Sequence, residues 1–461
     1  MQTTEIIKKG ALCPMFILRD LLPPLQQAFS NTPQGQKRQV WFIYTLLAVI
    51  IPFTSSMTSN LLRALQTLFG MDIKSQRYYT FMGSTTLPWE SLWKTLWGLI
   101  PDPATLTRIL VTLDDSISTK TGRKIFACSH FHNHAAKKNE TTYPWSQCIV
   151  AIGLLKQVKD RWASIPLDFR FYLMKKDIDA EKENVRNRDK LVPFQTKMEQ
   201  AASMIKGVFH YYQLPVLVIT DSWFGNNGLW SRLYQGRNGD FHLLSRFRTN
   251  ITLYDHTPVK AAHKKRKCGR PRKYGARLGS VDQCAGAYRE RAQTVSVMLY
   301  GKQRDVLAYS RTVMLKTMKC KVRVVWVFRK TSYVALMTTD LSLSVEQMIE
   351  YYGARWKIEA GFKEIKQEIG SARSQTRDAQ AVLNHFNFCM MGATLTWIYA
   401  DRLQNTPDRR FKIRGRASFA FSDVRRIIAE EALNPDFQSI CPSHVQTPQN
   451  SFIKVLLRMV A

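Results

Sequence analysis

The apolar residues of this chain keep one period at its start and another in its middle. Over residues 1–100 they fall mostly at the three-to-four-residue spacing of helices with one buried side. Trp41 to Ile51 is apolar almost throughout and predicts a buried helix. Ser59-Asn-Leu-Leu-Arg-Ala-Leu-Gln-Thr-Leu-Phe69 repeats its apolar positions at helical spacing, and Gly70 follows as a stop. Ser75-Gln-Arg-Tyr-Tyr79 and Pro88 to Trp97 continue the pattern. The texture then changes to short β-rich runs. Arg108 to Leu113 ends in Asp114-Asp115, and Pro215-Val-Leu-Val-Ile-Thr220 ends in Asp221. Both read as buried strands that deliver an acid at their C-terminal end. Cys148 to Leu155, Trp162 to Leu173 and Phe241 to Arg248 are further strands. Leu191 to Tyr212 and Leu229 to Tyr234 are helices. Strand, two strands, helix, strand, helix, strand is an α/β order.

A second β-rich block follows. Thr294 to Tyr300, Asp305 to Leu315 and Val322 to Thr338 read as strands. Ser344-Val-Glu-Gln347 has the spacing of a capping box and opens a helix that runs past residue 360. Ala379 to Tyr399 is an apolar core helix, and Asp423 to Leu433 a last amphipathic one. The uncharged stretch 40–62 is broken by Pro52 and a Ser/Thr run, so it predicts a buried helix and not a membrane span.

Composition adds a partner. Among 461 residues, 67 Lys plus Arg face 35 Asp plus Glu, a formal net charge of +32. Such an excess points to a polyanion, most simply nucleic acid, although a membrane surface would attract it as well. Between Lys260 and Gly279 stand nine Lys or Arg and no acid, centred on Gly269-Arg270-Pro271-Arg272. Gly-Arg-Pro resembles the core of AT-hook motifs, with Cys268 where such motifs often carry Arg. The eight cysteines are scattered without a CxxC pair, as in a reduced cytosolic protein. The N-terminal residues Met-Gln-Thr-Thr-Glu do not read as a signal peptide. Cys128-Ser-His130-Phe-His132-Asn-His134 has ligand-type residues in alternation, but no second cluster accompanies it, so a loop or strand near the active site is the preferred reading.

The chemistry concentrates in Tyr352-Gly-Ala-Arg355-Trp-Lys-Ile-Glu359-Ala-Gly-Phe-Lys363-Glu-Ile-Lys366. At about 100° per residue, and with Tyr352 at zero, Arg355 falls near about −60°, Glu359 near about −20°, Lys363 near about +20° and Lys366 near about −40°. One face carries a hydroxyl, one carboxylate and three cations. The i,i+4 pairs Arg355–Glu359 and Glu359–Lys363 are ordinary helix chemistry. The spacing Tyr-x2-Arg-x3-Glu-x6-Lys, however, resembles the signature of a large group of bacterial insertion-sequence transposases with an Asp-Asp-Glu triad. All four positions match.

That resemblance implies an RNase H-like α/β catalytic domain and a mainly β insertion between the second Asp and the Glu, while the short helices before residue 100, with basic and aromatic residues in their turns, fit a helical N-terminal DNA-binding region. The 137 residues between Asp221 and Glu359 leave room for the insertion. The implied division is 1–104 for DNA binding and 105–254 for the first part of the core. The insertion would take 255–340, the rest of the core 341–400, and a basic helical tail 401–461. The family's first acid precedes Ser or Thr, which favours Asp115 over Asp114. The implied catalytic and metal-binding set is Asp115, Asp221 and Glu359, holding two Mg²⁺ ions, with Mn²⁺ as a substitute. Tyr352, Arg355, Lys363 and Lys366 would contact DNA, joined by Arg270 and Arg272 of the basic segment. The expected activity is metal-dependent cleavage at the element's terminal inverted repeats and strand transfer into target DNA. The enzyme would act as a homodimer on double-stranded DNA in the bacterial cytoplasm, without a membrane. The competing readings are an inactive, transposase-derived DNA-binding protein and an RNase H-like nuclease without strand transfer.

Overall fold

A computed structural model describes residues 17–234, 239–257, 272–411 and 418–432. It opens with helices α1 (Ile17–Gln26), α2 (Pro33–Ile50), α3 (Thr58–Thr67), α4 (Ser75–Met82) and α5 (Trp89–Gly98). Strands β1 (Ile109–Thr119), β2 (Cys128–His130), β3 (Trp145–Val158) and β4 (Arg161–Tyr172) follow. Then come α6 (Lys175–Asp179), β5 (Arg186–Asn187), β6 (Lys190–Leu191), α7 (Lys197–Tyr212), β7 (Val216–Thr220), α8 (Asn227–Leu233) and β8 (Phe241–Arg246). The second β block holds β9 (Thr252–Tyr254), β10 (Arg277–Ser280), α9 (Val281–Tyr288), β11 (Gln293–Leu299), β12 (Lys302–Leu315), β13 (Cys320–Phe328) and β14 (Tyr333–Thr338). Helices α10 (Val345–Ala354), α11 (Trp356–Lys363), a π-helical stretch at Glu364–Ile369, α12 (Ala379–Arg402) and α13 (Phe421–Ala432) complete it.

The chain divides into two compact units. One takes Met1–Pro101, Glu368–Ser374 and Asn384–Ala461 and is helical in its described parts. Several of its aromatic residues lie in the core. Phe42, Trp89 and Phe388 stack edge and face within 5.1–5.8 Å. Trp89 and Trp93 each donate their indole N–H to an Asn of α12, Asn384 at 2.7 Å and Asn387 at 2.8 Å. Pro33 and the Thr32 cap start α2, and a buried cation finishes it. The Arg425 guanidinium donates to the carbonyls of Ile50 at 2.7 Å and Val49 at 3.1 Å, and also to the Glu368 carbonyl. It thereby satisfies the last, otherwise orphaned, acceptors of α2. Burial pulls its pKa down to about 10.

The other unit takes Asp102–Gln367 and Gln375–Leu383 and is built on a mixed twelve-stranded sheet. Strand β3 lies antiparallel to both β1 and β4, whereas β1, β7 and β8 run parallel. The core order is therefore β4-β3-β1-β7-β8, and the second β block continues this sheet through β14 against β8. Two expectations are corrected here. Val322 to Thr338 is two strands, because the chain turns at Arg329, whose N–H bonds the Ser332 carbonyl at 2.8 Å. Strand β1 does not end at its acids but runs on to Thr119, held by β3 through the Thr119–Ser146 pair. Its parallel neighbour β7 does stop, at the Leu113–Thr220 pair. The acids thus sit where one side of β1 loses its partner.

Replacing Arg425 with Met would leave buried carbonyls without a donor, a loss of roughly 3 kcal/mol. The expected result is a melting temperature several degrees lower by circular dichroism, and a midpoint within one degree of wild type would refute the capping role.

Candidate active site

The site begins with a register. The last parallel pairs of β1 and β7 are Thr112–Ile219 and Leu113–Thr220, so the next residues along, Asp114 and Asp221, stand level. Level residues of neighbouring parallel strands share a face, and successive residues of one strand alternate faces. Leu110, Leu217 and Ile219, all of that face, pack in one core cluster with Met348, Ile349 and Ala354 of α10. The same face receives α11, where a Cβ added to Gly361 would come within 3.6 Å of the Ser164 carbonyl. Asp115 points to the opposite face.

Arg355 joins the helix to that first face. It donates one guanidinium nitrogen to Asp114 Oδ2 at 3.2 Å and another to Glu359 Oε1 at 2.7 Å. Its side chain is only 12% exposed. Register thus sets Asp114 level with Asp221, and one shared cation joins Asp114 to Glu359. Burial raises the Asp114 carboxyl to a pKa of about 7; Arg355 opposes this rise, and the Asp221 and Asp115 charges add to it. Asp221 is pinned from its own loop. Its Oδ1 accepts the backbone N–H groups of Trp223 at 2.9 Å and Phe224 at 3.1 Å. Gly225 closes the loop so tightly that a Cβ there would lie 2.2 Å from Ser245 Oγ.

Asp115, the acid expected to come first, makes its contacts on the other side of the strand. Its Oδ2 accepts from Lys197 Nζ at 2.9 Å and from the Cys148 thiol at 3.7 Å. Cys148 pairs with Ile117 in the ladder, two positions along from Asp115, which confirms the shared opposite face. Lys197 also lies over the rings of Tyr172 at 5.1 Å and Trp223 at 5.5 Å. Lys197 was not among the residues marked in the sequence. Its signal was the box Thr196–Glu199, which makes it the first residue of α7.

The signature cations behave differently from a uniform basic face. Lys366 donates to the Ser116 hydroxyl at 2.6 Å and the Ile117 carbonyl at 2.5 Å, and burial lowers its pKa to about 8. It fastens the π-helical stretch to β1. Arg355 is likewise committed to carboxylates. Tyr352 is half-buried, with the Arg355 guanidinium 5.8 Å from its ring centre, and burial raises its pKa. Lys363 is exposed, as is Trp356. Arg272 is exposed, while Arg270 lies outside the described residues. In the Cys128 to His134 run, His130 bonds the Tyr143 carbonyl at 2.9 Å, and the rings of His132 and His134 touch at 4.4 Å.

The donor chemistry at Asp114, Asp221 and Glu359 suits a hard divalent cation, since all offer carboxylate oxygens and Asp114 is short of positive charge. As placed, with Arg355 between them, no three His, Cys, Asp or Glu side chains among the described residues form a metal-ready group. No described helix is long and apolar enough to cross a membrane. In sequence, residues 28–325 match the family described as DDE superfamily endonuclease. That stretch includes Asp114, Asp115 and Asp221 and ends before Glu359. No curated protein matches the chain.

An acid whose pKa is higher folded than unfolded favours the folded state at low pH and loses that contribution as pH rises. For Asp114 the window runs from the ordinary carboxylate range, where the unfolded chain titrates, up to about 7. Asp114→Asn should therefore melt a few degrees above wild type at pH 8, with the gap closing towards pH 4. A gap of the opposite sign at pH 8 would show that the Arg355 pairing outweighs the burial.

Proposed function

Because the chain belongs to the DDE superfamily endonucleases, we propose that it is a cut-and-paste transposase that cleaves DNA at the ends of its own element and joins them to a target. The observation that carries this reading is the level placement of Asp114 and Asp221 on one face, with Glu359 brought to them through Arg355. The strand order β4-β3-β1-β7-β8, with β3 alone reversed, supports an RNase H-like core. The match of Tyr352, Arg355, Glu359 and Lys366 to the insertion-sequence signature supports the transposase branch over a plain nuclease. In this reading the first acid is Asp114, with Asp115 held back by Lys197.

The chain's own groups divide the work. Asp114, Asp221 and Glu359 would hold two Mg²⁺ ions, or Mn²⁺ in their place, which would supply an activated oxygen nucleophile and neutralise the phosphoryl charge. Lys366 and the Asp221 loop bonds keep the helix and the strand end rigid while this happens. Arg355 holds the carboxylates together without DNA, and a DNA phosphate would draw its guanidinium away. Tyr352 and the exposed Lys363 would contact the DNA, as the signature implies. The net charge of +32, with exposed Arg272, supports binding of duplex DNA, both element ends and target. A homodimer would place one such site on each end.

The test uses DNA carrying the sequences that flank this reading frame, incubated with Mg²⁺. Wild type should nick and then join the ends. Asp114→Asn, Asp221→Asn and Glu359→Gln should each lose at least about a hundredfold in rate, whereas Asp115→Asn should lose less, since its carboxylate is bound by Lys197. Equal cleavage by the Asp114 and Asp221 variants would refute the assignment. Cleavage without joining would favour the nuclease reading, and binding with no nicking an inactive, DNA-binding descendant. A separate prediction concerns Arg355→Gln. Freed of the guanidinium, the variant should bind Mn²⁺ more tightly than wild type without DNA, read by electron paramagnetic resonance. Weaker binding would mean that Arg355 organises the acids and does not occupy their cation position.

A further inference from the structure

Past Leu113, strand β1 keeps β3 on one edge and, among the described residues, has no strand on the other. Asp114, Asp115 and the residues up to Thr119 lie on this overhang. A segment that has lost one ladder opens more easily than the core behind it unless side chains hold it. Two ammonium groups do so, one from each side of the sheet. Lys366 reaches Ser116 and Ile117 from the helix that carries Glu359. Lys197 of α7 takes Asp115 Oδ2 on the opposite face.

Lys197 does not have the setting of a surface lysine. It is the first residue of α7, where the helix dipole disfavours a cation, and its side chain is only 18% exposed. A lysine buried to that degree is kept there by its partners. Those partners make a continuous connection behind the face that carries the acids. On one side, the Asp115 backbone N–H donates to Asp114 Oδ1 at 2.8 Å, so a hold on Asp115 is passed to its neighbour. On the other, Lys197 Nζ lies 5.5 Å from the ring centre of Trp223, within cation–π range. The Trp223 N–H is in turn one of the two that hold Asp221 Oδ1, at 2.9 Å. The path from acid to acid runs Asp114, Asp115, Lys197, Trp223, Asp221.

We propose that Lys197 is a positioning residue for the two strand-end acids, fixing Asp114 through Asp115 and Asp221 through Trp223. This rests on the DNA-cleaving reading above. The last shared rung of β1 and β7 is Leu113–Thr220, so both acids stand one residue beyond the ladder that aligns them. Lys197 supplies across that gap the restraint that the ladder no longer gives. Carboxylates that share a task must keep their separation, and a small displacement made at a distance from the chemistry is enough to slow it.

Hydrogen exchange of the full chain without DNA or metal, read by mass spectrometry over residues 114–119 and 221–226, reports on both ends of the connection. Lys197→Met should speed exchange roughly tenfold in both segments and leave the buried rungs from Ile109 to Leu113 protected. Trp223→Leu should loosen 221–226 alone. With Mg²⁺ and end DNA, the kcat of Lys197→Met should fall roughly tenfold at unchanged KM. Lys197→Arg should recover most of both losses, since a guanidinium can also pair with Asp115 and lie over Trp223. Lys197→Met leaves the Asp115 charge unpaired, so Lys197→Met combined with Asp115→Asn separates fold from function. That double variant should melt within about two degrees of wild type and still exchange fast and turn over slowly. Unchanged exchange in either segment would overturn the connection. Equal loosening of the buried rungs would overturn it in favour of a general loss of fold, and a raised KM at unchanged kcat in favour of direct DNA binding by Lys197. If wild type does not cut, the DNA-cleaving reading falls, whereas the exchange result still upholds or overturns the link between Asp114 and Asp221.

Discussion

Five parallel rungs between β1 and β7, Ile109–Val216 to Leu113–Thr220, organise the site. They are buried, so their pairing is enforced by both hydrogen bonding and packing. A slip of one residue would turn the entire apolar set to the wrong face. The same constraint that protects the core also decides which carboxylate meets which. Once Leu113 is level with Thr220, Asp114 must be level with Asp221 and Asp115 must face away. The acids inherit their geometry from leucines, valines and isoleucines.

Bringing carboxylates together in a dry place is unfavourable, and the site shows how the repulsion is relieved. Arg355 shares its charge between Asp114 and Glu359. Lys197 removes Asp115 to a partner of its own. Backbone N–H groups take up one oxygen of Asp221. Burial still leaves Asp114 with a raised pKa, so the compensation is incomplete. A site that is short of one positive charge without ligand is suited to accept one.

Much of this could be read in the sequence because it depends on local signals. The Ser344–Gln347 box does cap α10. The Pro215 to Asp221 run is a buried strand with an acid just past its end. What could not be read depends on contacts across the fold. Asp114 and Asp115 are adjacent and chemically identical, and only the partner strand distinguishes them. The length of β1 was set by β3, not by its own apolar run. The face of Lys366 was projected at a constant turn per residue, but the helix widens into a π-helical stretch at Glu364, and its long reach to Ser116 follows from that. Tyr300 looked like the end of a strand, since nothing in the local sequence announces a tyrosine at positive φ.

The two signature cations Arg355 and Lys366 are spent on internal bonds, and this changes where the charge of the chain must act. A surplus of 32 positive charges cannot be explained by the helix that carries the signature. Long-range attraction to a polyanion needs exposed, solvated cations, such as Lys363, Lys302, Arg304 and Arg272. The chemistry needs the reverse, a small dry set of groups with fixed geometry. In the proposed reaction, separating the two would let DNA be captured loosely over a wide surface and reacted only where β1, β7 and α11 meet. Arg355 belongs to both regimes. It is a guanidinium with two carboxylate partners now, and a phosphate is the one ligand in the proposed reaction that competes for it on equal chemical terms.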